Sequence, residues 1–199
     1  MHKGLFWGII FSLSLGWAAW SDDEKELFFE SITVGLRIKQ GHSRYVFISG
    51  LMLDEKSVLT LGAPFLDPTP PFSACVFSRT PKEILGEAQV IKFSPGDENL
   101  AIILLQNEIM MPQFPVVEVI PDADLDGQRI AVSSYQLYPT GKYGFSVISG
   151  SIKEMDPNSI TYESSDSQLG SAGAGIFLGQ EDVYKLCALG KVHFLMGAL

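Results

Sequence analysis

Few residues in this chain are of types that do chemistry, and their spacing decides what chemistry that is. Three histidines and two cysteines are the natural metal ligands and nucleophiles. His2 stands at the start, His42 follows a glycine in a turn-like stretch, and His193 falls in the last β-rich run. Cys75 sits between Ala74 and Val76, and Cys187 between Leu186 and Ala188, the surroundings of thiols that pack as small hydrophobes. A metal centre needs several convergent ligands at close spacing, and neither pair shows it. No metal or other cofactor is expected. The glycines of 170–175 would suit a phosphate only if they opened a helix, and the sequence after them is β-rich instead.

The elements that must position any site are short strands. From Ile32 onward, β-rich runs alternate with turn residues. Ile32–Lys39, Arg44–Leu53, Ser57–Leu61, Ser73–Ser78, Glu83–Phe93 and Leu100–Gln106 form one set. Pro115–Ile120, Gln128–Gln136, Tyr143–Lys153, Ser159–Glu163, Gly175–Leu178 and Val183–Phe194 form a second. Asn107–Pro115 links them. No stretch after the N-terminal segment carries a sustained 3.6-residue apolar period, so the expectation is an all-β sandwich or barrel architecture.

Residues 1–18 read as a cleaved secretory signal peptide. Lys3 provides the positive start, Leu5–Leu15 the apolar run, and Gly16 with Ala18 the small residues before a cut. The run is shorter than the roughly 20 residues of a spanning helix. An acidic lead follows, residues 19–31 with its charges in Ser21–Glu30, for which trimming and a solvated tail are both open. Hydrophobic residues make up 46% of the chain, enough for a substantial core, which excludes a disordered protein. The net charge of −9 argues against nucleic acid or an anionic membrane surface as partner. Cleavage at residue 18 removes one positive charge, Lys3, and deepens that balance. In a secreted protein the two cysteines allow at most one bridge, Cys75–Cys187, as the alternative to buried thiols.

Tyr45–Pro64 reads YVFISGLMLDEKSVLTLGAP. It resembles the chymotrypsin/trypsin-like serine proteases, in which a strand of the form C-G-G-x-L-I turns into V-L-T-A-A-H-C. The gapless match puts Ala63 at the position of the catalytic histidine. Glu98–Leu104 resembles the family's D-I-A-L-L strand and puts Asn99 at the aspartate. Gly170–Ile176 resembles G-D-S-G-G-P-L and puts Ala172 at the nucleophile. A methyl group neither accepts a proton nor attacks a carbonyl, and an amide does not stabilise an imidazolium as a carboxylate does.

The resemblance therefore implies a trypsin-like fold of two packed six-stranded antiparallel β-barrels, shortened at the C-terminus, without peptidase chemistry. Barrel one would run over about 32–106, the linker over 107–115 and barrel two over about 116–199. Gly170 keeps the glycine of the oxyanion-binding loop, and Asp166 takes the place of the trypsin-type pocket floor. Other departures agree with the loss of the triad. Ser31-Ile32-Thr33 lacks the basic residue and glycine pair of an activation site, Ser171 replaces the aspartate that pairs with the freed N-terminus, and Ile48, Pro64 and Gln168 replace cysteines. Such proteins generally bind a protease, its substrate, an inhibitor or a receptor. Two other readings are a residual serine endopeptidase using Ser171, for which Leu169 would replace the oxyanion-hole glycine, and a decaying truncated copy with no selected role.

Overall fold

The computed structural model describes residues 22–40, 44–66, 73–77, 84–94, 97–110, 127–137, 140, 142–156, 159–164, 172–180 and 183–189. Residues 1–18, expected to be a signal peptide, the 115–120 run, Asp166, Gly170, Ser171, His42 and His193 lie outside them.

Seven of the twelve expected strands are found with both ends within one residue and four more with an end shifted by two to five; the 115–120 run lies outside the described residues. β1 (Thr33–Gln40), β2 (Arg44–Met52), β3 (Ser57–Leu61), β4 (Ser73–Phe77), β5 (Ile84–Ser94) and β6 (Asp97–Leu105) close into one barrel in the order β1-β2-β3-β6-β5-β4. Alternation explains it. Val34, Leu36 and Ile38 of β1 point inward with Ile48, Val58, Ala74, Val76, Ala101, Ile103 and Leu105, while the residues between them face out. β-Bulges at Ala88/Val90 and Phe93/Ser94 bend β5 against β6 and help the sheet to curl closed.

β7 (Arg129–Leu137), β8 (Tyr143–Asp156), β9 (Ser159–Ser164), β10 (Gly175–Gln180) and β11 (Val183–Leu189) form a second antiparallel sheet, ordered β11-β10-β7-β8-β9. These are five of the six expected strands; the sixth is the 115–120 run. The sheet has its own core of Ile130, Val132, Ile148, Ile152, Ala174, Ile176 and Leu178. Within the linker reading, Ile109 belongs to the first barrel: it is buried in that core and its N–H donates to the Glu55 carbonyl at 2.8 Å.

The acidic lead corrects the sequence reading. Where no helical period was expected after the N-terminal segment, it forms a helix, α1 (Asp22–Ile32), running directly into β1. Asp22, Asp23 and Glu24 occupy its first turn, where the helix macrodipole favours negative charge. Its inner face is short. Phe29 (1% exposed) and Ile32 (0%) join Leu51, Ala131, Phe177 and Leu186 in a third apolar cluster, with the Phe29 and Phe177 rings 5.0 Å apart. Because Leu51 belongs to the first barrel and the other three to the second sheet, the helix packs over the seam between them.

Burial of phenols adds a pH dependence. Tyr162 packs against the second core and Tyr143 lies half-buried at the seam; desolvation raises both phenols above the usual 10.0. A raised folded-state value means that the stabilisation is present in full below pH 10.0 and is lost as pH rises toward the folded value. Denaturant midpoints are therefore expected to fall in alkali, and less so in Tyr162→Phe.

Candidate functional site

The seam brings together residues far apart in sequence, and Ser49 is its hub. On β2, an outward position that carries Tyr45 and Phe47 earlier in the strand carries Ser49 where the second sheet covers it. The Ser49 hydroxyl donates to the Tyr135 carbonyl at 3.2 Å and accepts from the Tyr135 N–H at 2.9 Å. Its backbone N–H donates to the Ala172 carbonyl at 2.7 Å, and its own carbonyl accepts from Thr60 Oγ1 at 2.7 Å. Thr33 and Ser133 hydroxyls pair at 2.9 Å across the same seam. Each of these hydroxyls is buried and engaged, so they join the two units and do not face a substrate. Replacing Ser49 with alanine leaves the Tyr135 peptide groups without that partner inside the protein. The expected cost is about 1–3 kcal/mol, read as a lowered urea midpoint.

Gly173 makes the close approach feasible. It adopts φ +80°, a conformation L side chains rarely take, and a Cβ there would run into the Ser49 carbonyl and lie 3.0 Å from Thr60 Oγ1. Gly175, at the head of β10, is pressed on by the Leu51 and Phe177 side chains. The 172–175 segment thus passes tightly along Ser49–Leu51, with Ala174 buried in the second core.

The positions that the resemblance singles out fall around this hub. Ala172 is half-buried, with its methyl against the first-barrel core and its carbonyl on Ser49. Ala63 opens a short 3-10 turn, Ala63–Phe65, directly after β3. Phe65 anchors that turn: its side chain is buried and its N–H donates to the Gly62 carbonyl at 2.8 Å, while Ala63 itself is exposed. Asn99 lies on β6. Because Leu61 pairs with Leu100, the Asn99 backbone comes beside Gly62, at the same end of β3 as Ala63; its side chain lies outside the described residues. The ends of β3 and β6 carry two of the three positions, and Thr60, three residues before Ala63, ties β3 through Ser49 to the third.

The groups at Ala63 and Ala172 are methyls, so neither general-base activation nor covalent attack can start from them. Among the described residues no three His, Cys, Asp or Glu side chains gather as a metal site. Cys75, on β4, is a buried free thiol with the Arg37 guanidinium 3.9 Å from its sulfur, and so not half of a bridge; the Cys187 side chain lies outside the described residues.

Sequence reasoning named Ser49 only as part of a strand and did not assign Thr60, Tyr135, Thr33 or Ser133 to a site. A signal was there. Ser49-Gly50 interrupts the apolar run Tyr45–Leu53, and Ser133-Ser134 interrupts a similar run in β7, which marks strands whose outer faces are buried against something polar.

No family model matches the chain, and no curated protein matches it. Solved structures do. The scabies mite inactivated protease paralogue S-I1 is similar over 85% of this chain and 86% of its own, at 16% identity and a TM-score of 0.61. A Glu endopeptidase is similar over 78% and 76%, at 18% identity and TM-score 0.59. Human heparin binding protein is similar over 77% of each chain, at 11% identity and TM-score 0.57. Likeness at these identities shows the trypsin-like fold.

Proposed function

We propose that this chain is a secreted serine protease homologue without catalytic activity, acting as a binding or regulatory protein toward a protein partner such as a protease, an inhibitor or a receptor. One observation carries the reading: the segment held along Ser49 by the Ala172 carbonyl and by Gly173 carries alanine at 172, and the turn after β3 carries alanine at 63. The scaffold is kept where the reactive groups are not. A decaying copy would be expected to lose the seam, and its long-range hydrogen bonds and φ +80° glycine are in place. The inactivated paralogue from the scabies mite supports the reading as a protein of the same fold that is by name inactivated.

The test is turnover. The recombinant secreted protein is assayed on fluorogenic casein and on peptide libraries with basic, acidic and aromatic side chains before the scissile bond. The expected rate equals the buffer blank for the wild type and for Ser171→Ala. A wild-type rate above the blank that falls in Ser171→Ala would overturn the proposal. A normal melt with no turnover separates a stable binding protein from a decaying copy, for which a low, non-cooperative melt is expected.

A further inference from the structure

The acidic character of the chain is not evenly spread. No Asp or Glu occurs between Glu30 and Asp54, or between Asp126 and Glu154, although acids outnumber bases 23 to 14 overall. These two stretches hold Arg37, Lys39, Arg44, Arg129, Lys142 and Lys153. They fold as the β1–β2 hairpin and the β7–β8 hairpin, and they meet at the seam through aromatic rings. Phe47 and Tyr143 stack with centroids 4.5 Å apart, Phe77 lies 6.2 Å from Tyr143, and Tyr45 lies 6.5 Å from Phe47.

Where this aromatic row leaves the seam it becomes accessible and positively charged. Tyr45 is 49% exposed and has the Arg37 guanidinium over its ring at 5.8 Å. Lys39 pairs with Tyr45 across the β1–β2 ladder, and Lys142 precedes Tyr143. Glu87 is two strands from Arg37, beyond Cys75. Tyrosine and arginine are the residue types that anchor protein interfaces, and a small cluster of cations beside exposed rings suits carboxylates carried on a polypeptide. A nucleic acid or anionic membrane would instead have to overcome the negative charge of the rest of the surface.

Resting on the binding-protein reading above, we infer that the open end of the seam, formed by Arg37, Lys39 and Tyr45 with Lys142 and Tyr143, docks an acidic, aromatic-containing segment of the partner protein. Charge complementarity steers that segment to the cations at this end of the seam, and the rings hold it there.

Binding is measured by fluorescence anisotropy with a fluorescein-labelled peptide alternating glutamate and tyrosine. The wild type is expected to bind saturably and more weakly as salt is raised. Lys39→Glu/Lys142→Glu is expected to weaken binding at least tenfold, and Tyr45→Ala about fivefold. Lys56→Glu, an exposed charge reversal at the opposite end of β2, is expected to stay within twofold; melts confirm that all variants are folded. Absence of saturable binding, equal loss in Lys56→Glu, or preference for phosphatidylserine vesicles over the peptide overturns the inference. Failure here leaves the turnover result standing, and measurable turnover would sink the binding-protein reading whatever the peptide does.

Discussion

Gly173→Val is expected to destabilise the protein by about 3–5 kcal/mol, enough to unfold much of the population. Two effects add. An L side chain at φ +80° costs on the order of 1–2 kcal/mol by itself. The new Cβ also pushes into the Ser49 carbonyl, which separates Ser49 from Thr60 and pulls Ala172 off the Ser49 N–H. Gly127 separates the two contributions: it has φ +72° but nothing within 4 Å of a built Cβ. Gly127→Ala is therefore expected to show the backbone cost alone, about 1 kcal/mol. Urea midpoints of the two variants measure the difference. If Gly173→Val and Gly127→Ala lose the same stability, the tight passage of the 172–175 segment along Ser49 is wrong.

Phe29→Ala is expected to cost about 3–5 kcal/mol, the range for emptying a buried phenylalanine site. Its ring fills the space between Phe177, Leu51 and Leu186, so its loss undoes the third cluster and releases α1 from the seam. Leu27 lies on the same helix and is 64% exposed; Leu27→Ala should change stability by less than about 0.5 kcal/mol. Limited proteolysis adds a local readout. Cleavage within 22–32 should be slow in the wild type and in Leu27→Ala, and fast in Phe29→Ala.

These two sites also show what could be read from the sequence. The strands were legible because a half-buried strand declares itself by alternation, as Val34, Leu36 and Ile38 do, and Ser57–Leu61 was expected and is found with the same ends. α1 was not legible. Among its described side chains only Phe29 and Ile32 are fully buried, too few for a sustained period, and its run of acids resembles a tail. The seam was illegible for a different reason: Thr33 meets Ser133 across 100 residues, and Ser49 meets Tyr135 across 86. Local pattern carries no information about pairings at that separation. The sequence could place Ala63, Asn99 and Ala172 by resemblance, but it could not show that Ser49, Thr60 and Gly173 tie the segments bearing them together.

Labelling with a fluorophosphonate probe tests the central claim most directly, because the probe reports an activated serine without requiring a known substrate. Purified, folded protein incubated with the probe and read by intact mass is predicted to show no adduct, for wild type and Ser171→Ala alike. A stoichiometric adduct on the wild type, absent from Ser171→Ala, would contradict the account.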